Sequence, residues 1–209
     1  MFGDGALTLR EFAMHEPLPL ARIHDCILNF LRNRDDAVLF GAQAVNAYVD
    51  EPRMTQDVDI LSTHASTLAE SLRYHLATTF RIAVRVREVA SGNGFRIDQI
   101  RKPKNRDLAD VRQVATFPAT QLIAEVRVPT PEELIAQKII SLAGRSQQPK
   151  GDTDRRDLKL LLLAYPALKS LKGPVADRIK ALGPSDAALT EWARLVATDI
   201  QPEDEVEED

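Results

Sequence analysis

The sequence predicts an α/β chain of the α+β kind: a mixed sheet with helices over residues 1–129, then a helical part over 130–199. Three observations predict it. Short apolar runs with period-two alternation recur between residues 37 and 128, as strands require. Helical spacing of apolar residues separates several of these runs. Beyond residue 130 the pattern is helical, and prolines stand at successive helix starts.

The first helix is expected over residues 20–33, and Ala37-Val38-Leu39-Phe40 follows as a strand. It ends at Gly41, after which Ala42, Val45, Ala47, Tyr48 and Val49 recur at helical spacing. A strand feeding a glycine-led helix aims free backbone N–H groups and the positive end of the helix dipole at one point, a place suited to an anion. Pro52 and Arg53 turn the chain, Thr55 follows, and Asp57 to Leu61 reads as the next strand. Alternation then puts Asp57 and Asp59 on one side, with Val58 and Ile60 on the other. Two adjacent carboxylates repel unless a cation lies between them. The hard cation that suits carboxylate and phosphate oxygens is Mg²⁺.

A second helix is expected over 66–79. Ile82, Val84 and Val86 alternate in the next strand, Ser91-Gly92-Asn93-Gly94 supplies a turn, and Phe95 to Ile100 returns, giving a hairpin. Asp98 is a polar residue within that returning strand. Residues 122–128 alternate like a final strand. Thr130, Pro131 and Glu133 form a helix-start signature with Thr130 as cap. Leu134, Ile135, Ile139 and Leu142 supply its buried stripe, with Gly144 as the expected stop. Lys138 lies close to that stripe, where a lysine can snorkel outwards. Residues 144–152 are rich in breakers and read as a mobile loop. Asp154 and Asp157, three apart, share a helix face beside Arg155 and Arg156, where acids also serve as ordinary dipole complements. Helices over 174–182 and 184–197 complete the chain.

The segment Phe40-Gly41-Ala42-Gln43-Ala44-Val45-Asn46-Ala47-Tyr48, followed by Arg53-Met54-Thr55-Gln56-Asp57-Val58-Asp59-Ile60-Leu61, resembles the minimal nucleotidyltransferases of the DNA polymerase beta superfamily. It looks most like the AbiEii-like branch, which includes toxins of toxin–antitoxin systems. The resemblance spans roughly residues 36–165. It implies a mixed-sheet nucleotidyltransferase core with a helical C-terminal subdomain, and transfer of a nucleoside monophosphate from an NTP, ATP among them, to an acceptor. It implies two Mg²⁺ ions on three carboxylates, for which Asp57, Asp59 and Asp98 are the candidates. Gly41, Ala42 and Gln43 would meet the phosphates, with Arg53 and Thr55 flanking and Lys138 reaching the phosphates from a later helix. Lys150 and Asp157-Leu158 match the later segment of the branch, in which an aspartate assists the acceptor. The acceptor would be tRNA, a protein side chain or a small hydroxylated molecule, and an antitoxin protein is the partner implied for a toxin. One departure stands out: Ala42 occupies the position where many members carry serine or a second glycine. Alanine keeps the backbone donor but loses the hydroxyl or the freedom of glycine, and Gln43 is the candidate to compensate. Arg53 has an equal claim to a structural ion pair.

Composition bounds the rest. With 209 residues and 44% hydrophobic content the chain is long enough for a real core. No run of eighteen apolar residues exists, so no membrane span is expected, and a cytoplasmic address with no signal peptide is the expectation. The single cysteine, Cys26, forbids an internal disulfide and reads as a small core residue. His15, His24, His64 and His75 lack zinc-site spacing. The net charge of −4 owes much to residues 203–209, which hold six acids and no base; without them 27 bases face 25 acids. Residues 200–209 read as an acidic, solvating and disordered tail. Arg101, Lys102, Lys104 and Arg106 cluster in a loop that could follow a nucleic-acid backbone. Two other functions share these features: a non-catalytic nucleotide- or partner-binding module on the same fold, and an RNA-binding domain without nucleotide chemistry.

Overall fold

Five strands, Ala37–Phe40 (β1), Val58–Ser62 (β2), Val84–Val89 (β3), Gly94–Gln99 (β4) and Arg106–Gln113 (β5), form one sheet in the order β1-β2-β5-β4-β3. The computed structural model describes residues 18–89, 92–183 and 186–202. The sheet is mixed: β2 and β5 are parallel, and the other neighbours are antiparallel. β5, which lies second from neither edge but in the middle, has no counterpart among the strands expected from sequence. Its run Arg106-Asp107-Leu108-Ala109-Asp110-Val111-Arg112-Gln113 carries five charged or amide side chains around three buried apolar ones.

Alternation sorts the sheet into two faces. Val58 and Ile60 of β2 stand beside Ala109 and Val111 of β5, and Ile97 of β4 continues the row; all are buried. Helices Leu20–Leu31 (α1) and Ala65–Phe80 (α3) supply the covering layer. They contribute Ile23, Ile27 and Leu31, and Leu68, Leu72 and Leu76, each set at helical spacing and fully or almost fully buried. Each such side chain adds about 1.5–3 kcal/mol by leaving water. The opposite face carries Asp59, Asp110, Arg96 and Arg87 in neighbouring register positions. A register shift between Ile97 and Asp98 pairs Asp98 with Asp107, leaving Leu108 as an extra residue in β5.

Residues 122–128, expected as one strand, are two: Thr120–Ile123 (β6) and Val126–Pro129 (β7), paired as a separate antiparallel ribbon. Ala124 and Glu125 form the two-residue turn, with φ of 47° and 67°. Such a turn normally uses Asn-Gly, so nothing in the local sequence announces it. Neighbours hold it in place: Asn33 donates its backbone N–H to Glu125 O at 2.8 Å. Replacing Ala124-Glu125 by Asn-Gly relieves two left-handed non-glycine residues. It is expected to stabilise the protein by roughly 1 kcal/mol, read as a higher melting temperature.

The chain divides into two compact units, Met1–Pro129 and Thr130–Asp209. The second contains helices Pro131–Arg145 (α4), Pro149–Ala164 (α5), Pro174–Ala181 (α6) and Asp186–Ala197 (α7), with a short 3₁₀ turn at Pro166–Leu168. Pro131 occupies a first-turn position, as expected, and so does Pro149, which was expected in a loop. Thr130 sits at the cap position of α4 but makes no side-chain cap bond. Glu133 turns instead to Arg178 of α6 and accepts from Gln137 at 2.6 Å, so no capping box forms. Gly144 does not stop α4, and the expected mobile loop over 144–152 shrinks to residues 146–148. Gly151 makes that tight connection workable, since a Cβ there would lie 3.1 Å from Ser146 Cα. Ser91, Pro184 and the acidic residues 203–209 lie outside the described residues. Among the described residues, no helix is long and apolar enough to cross a membrane.

Candidate functional site

Gly41 opens the short helix Gly41–Asn46 (α2) directly after β1, with φ of 65°, a conformation that favours glycine. It lies hard against Asp59: a Cβ on Gly41 would approach Asp59 Cγ to 2.9 Å. The approach follows from register, because Phe40 pairs with Asp59 across the antiparallel β1–β2 contact. Glycine is thus required twice, for its dihedral and for its lack of a side chain.

Two side chains from α2 fasten the segment that leads into β2. Asn46 donates Nδ2 to Arg53 O at 2.8 Å and accepts the Arg53 N–H on Oδ1 at 3.1 Å. Gln43 Nε2 donates to Thr55 Oγ1 at 2.9 Å and lies 3.5 Å from His24 Nδ1. Gln43 therefore braces Thr55. Arg53 is held here through its backbone.

Asp59 lies in β2, and Asp57 immediately precedes the strand, which starts at Val58. The position beside Asp59 on the parallel neighbour is Asp110 of β5. Beyond it on the same face stands Arg96 of β4, whose Nε and Nη2 donate to Asp110 Oδ1 and Oδ2 at 2.7 and 2.8 Å. That hydrogen bonding, foremost, raises the pKa of Arg96 against the cost of its burial, with charge from Asp110, Asp107 and Asp57 adding to it. Asp57 thus acts on the same guanidinium that grips Asp110.

Asp98 is placed differently. It is one strand further out, fully buried, and engaged by arginines of the edge strand β3. Arg87 donates Nε to Oδ2 at 2.5 Å and Nη2 to Oδ1 at 3.3 Å, while Arg85 Nε donates to Oδ2 at 3.2 Å. Burial opposes ionisation of Asp98, but bonds from Arg87, Asp107 and Arg85 outweigh it and hold the carboxyl below its usual range. Its partner Asp107 is pushed up, by burial first and then by Asp98. The sequence signal for Asp110 was present as Ala109-Asp110-Val111, an acid between two buried apolar residues, whereas Asp98 lies between Ile97 and the amide Gln99. Strand order sets Asp110, and not Asp98, beside Asp59.

In the second unit, α4 and α5 bring Lys138, Asp154 and Asp157 together. Lys138 Nζ donates to Asp154 Oδ1 at 3.1 Å and to Asp157 Oδ2 at 2.6 Å, and Arg145 Nε donates to Asp154 Oδ2 at 2.7 Å. Lys138 does not snorkel: all three are buried, and two cations balance two anions. Two variants tell a brace from a reacting group. If the network is a brace, Lys138→Met and Asp157→Asn both lower the melting temperature, by roughly 2–4 kcal/mol of stability. If either group reacts, kcat falls while the melting temperature holds.

The basic loop is partly committed to structure. Arg106 donates Nε to Gln99 Oε1 and Nη1 to Leu18 O, both at 3.0 Å. Cys26 Sγ lies 3.3 Å from His75 Nε2, and burial pushes its thiol up, as suits a structural cysteine.

Asp57, Asp59 and Asp110 offer oxygen donors only, the set a hard divalent cation requires. As the side chains stand, no three acidic, histidine or cysteine residues among the described residues are gathered closely enough to hold an ion. At Asp110, Arg96 engages both carboxylate oxygens.

No protein-family model matches the sequence, and no curated protein matches it at significant similarity. Solved structures do. Megavirus polyadenylate synthase superposes with a TM-score of 0.59 at 14% identity, over 76% of this chain. This chain spans only 34% of the Megavirus protein. JHP933 from Helicobacter pylori superposes with a TM-score of 0.59 at 12% identity, over 91% of this chain and 92% of that one. At such identities the likeness shows the fold alone, a mixed α/β arrangement shared with these two proteins.

Proposed function

We propose that this chain is a metal-dependent nucleotidyltransferase that moves a nucleoside monophosphate from an NTP to an acceptor hydroxyl. The observation that carries the reading is the convergence at Asp59. The backbone of Gly41 abuts its carboxylate on one side, and Asp110 stands in register on the other. A glycine-bounded backbone against paired carboxylates suits a phosphate whose charge must be shared between amides and a cation.

In this reading Asp57, Asp59 and Asp110 hold Mg²⁺, with Asp110 taking the place expected for Asp98. Bound there, the metal would polarise the phosphate under attack and offset charge on the pyrophosphate leaving group. The chain's own residues do the positioning. The amides after Phe40 face the phosphates, and the Asn46 and Gln43 side chains fix the approach of Arg53 and Thr55 to Asp57. The acid nearest the attacking oxygen would take its proton. Asp157 could do this only by giving up Lys138, so its buried pairing favours the bracing role.

The acceptor in this reading is an RNA such as tRNA, a protein or a small hydroxylated molecule. A toxin restrained by an antitoxin protein belongs to the same proposal. It predicts growth arrest on expression of the wild type and none with Asp59→Asn. The direct test offers each of four α-³²P NTPs, with Mg²⁺, to cellular RNA, protein and small-molecule fractions. Label on one acceptor, absent with Asp59→Asn, is the expected result; no transfer from any NTP to any fraction counts against it. A non-catalytic binding module is favoured by one observation, the double engagement of Asp110 by Arg96. It predicts NTP binding without turnover.

A further inference from the structure

Five basic residues reach one corner of the first unit from three separate segments. Ile100 donates its backbone N–H to Ala83 O at 2.8 Å, which lays the β4–β5 loop beside the start of β3. Arg101, Lys102 and Lys104 of that loop thereby stand near Arg81, which caps the end of α3. Asn105 Oδ1 accepts the Arg101 N–H at 3.3 Å and pins the loop across its base. Helix α1 adds the fifth. Cys26 meets His75 and Thr79, while Phe30, one turn later, lies 5.2 Å from the His75 ring, so α1 and α3 run antiparallel. Arg22, one turn before Cys26, therefore lies at the end where α3 gives way to Arg81. Arg22, Arg81, Lys102 and Lys104 are exposed, and Arg101 is half-buried. Among the described residues, no acid pairs with Arg22, Arg81, Lys102 or Lys104. The acids of the adjoining strand ends are turned to other bases: Asp98 is held by Arg85 and Arg87, and Asp107 lies 3.9 Å from Arg96.

The corner lies at the same end of the sheet as Gly41. β2 and β5 are parallel, and Asp57 and Asp59 mark the start of β2, the end from which β5 also departs. Phe40, the last residue of β1, pairs with Asp59 and hands the chain to Gly41 there. From Asp110 back to Arg106, where the basic loop joins, β5 covers about 13 Å. That span is a few nucleotides of an extended strand. We propose that this corner is the docking surface for the backbone of a single-stranded RNA, whose hydroxyl-bearing 3′ end runs from it towards Asp59. The inference rests on the reading of this chain as a nucleotidyltransferase, because that reaction needs an acceptor hydroxyl. Bases spread over three segments suit a row of phosphates better than one compact anion. With charge carrying the contact, binding depends strongly on salt and weakly on base sequence.

The test is fluorescence anisotropy of the full chain with a 5′-labelled, unstructured RNA of about 12 nucleotides, without NTP or divalent metal, over a range of KCl. Wild type is compared with Lys102→Ala/Lys104→Ala, with Arg81→Ala, and with Lys159→Ala/Lys172→Ala, which removes two exposed lysines of the second unit. Lys102→Ala/Lys104→Ala is expected to lose about tenfold in affinity and to flatten the slope of log K against log salt by about 1.4, two phosphates at about 0.7 each. Arg81→Ala should lose about threefold, and the second-unit pair less than about twofold. Every substituted side chain is exposed, so melting temperatures should match the wild type. Equal affinity of wild type and Lys102→Ala/Lys104→Ala, equal losses from the two lysine pairs, or no RNA binding by wild type overturns the proposal. So does poly-glutamate that binds as tightly as RNA with the same dependence on Lys102 and Lys104, which would mark a site for an acidic protein. The readout is separate from nucleotidyl transfer. RNA held at this corner with no transfer from any NTP keeps the surface and removes the enzyme reading; transfer to an acceptor without RNA binding does the reverse.

Discussion

Asp59→Asn and Asp110→Asn are each expected to lower kcat for nucleotidyl transfer by about 10³-fold, some 4 kcal/mol of barrier. Asp98→Asn should leave kcat within roughly threefold, because Asp98 is buried among Arg85 and Arg87 and stands one strand away from the paired carboxylates. The three variants therefore separate two assignments of the third metal-binding acid in a single steady-state comparison. A 10³-fold loss at Asp98 with none at Asp110 would reverse the assignment made from the strand order. Stability should move the other way. The Asp98 carboxyl lies below its usual range in the folded protein, so its contribution is fully present above the unfolded value of about 3.9. It is lost as pH falls through the depressed folded value. Asp98→Asn should accordingly lower the melting temperature at neutral pH, and the gap from wild type should close under strong acid. Asp107, shifted upwards, contributes with the opposite sign.

Gly41→Ala should be the most damaging single methyl group in the first unit. The substitution places a Cβ against the Asp59 carboxylate and asks alanine to hold φ of 65°. The dihedral alone costs about 1–2 kcal/mol, and relief of the overlap requires Asp59 or the start of α2 to move. A total of roughly 3 kcal/mol is expected, seen in denaturant melts. Activity should fall with it, because the atom displaced is a carboxylate of the proposed site. Ala42→Gly is the matched control: it adds freedom at the next residue without a clash and should change stability by less than about 1 kcal/mol. Equal tolerance of both substitutions would mean that Gly41 does not abut Asp59 in solution.

Periodicity found the parts of this chain whose structure is local. β1, α2, β2, the β3–β4 hairpin and the helices that start at Pro131 and Pro174 follow from spacing and turn residues. What escaped depended on distant partners. β5 carries Asp110 and Arg112 two apart, with Asp110 beside the charged neighbours Asp59 and Arg96, so its polarity hid a central strand. Ala124-Glu125 forms a turn that its own chemistry disfavours, held by contact with Asn33. Glu133, three residues after Thr130 as a capping box requires, is drawn off by Arg178, a residue 45 positions later. Asp57, Asp59 and Gly41 were legible because one short segment sets them side by side. Which acid stands beside Asp59 in the sheet was not, because strand order is a global property.

The late strand in the middle of the sheet has a consequence for how the protein comes into being. During synthesis the pair β1–β2 emerges first and the hairpin β3–β4 next, yet neither touches the other in the sheet until β5 slips between them. The acidic centre shared by Asp59 and Asp110 is thus closed by a segment some fifty residues downstream of its first half. A nascent chain released before that segment would carry two unjoined ribbons and no assembled charge cluster. The insertion of one strand joins the sheet and sets Asp110 beside Asp59 in the same event.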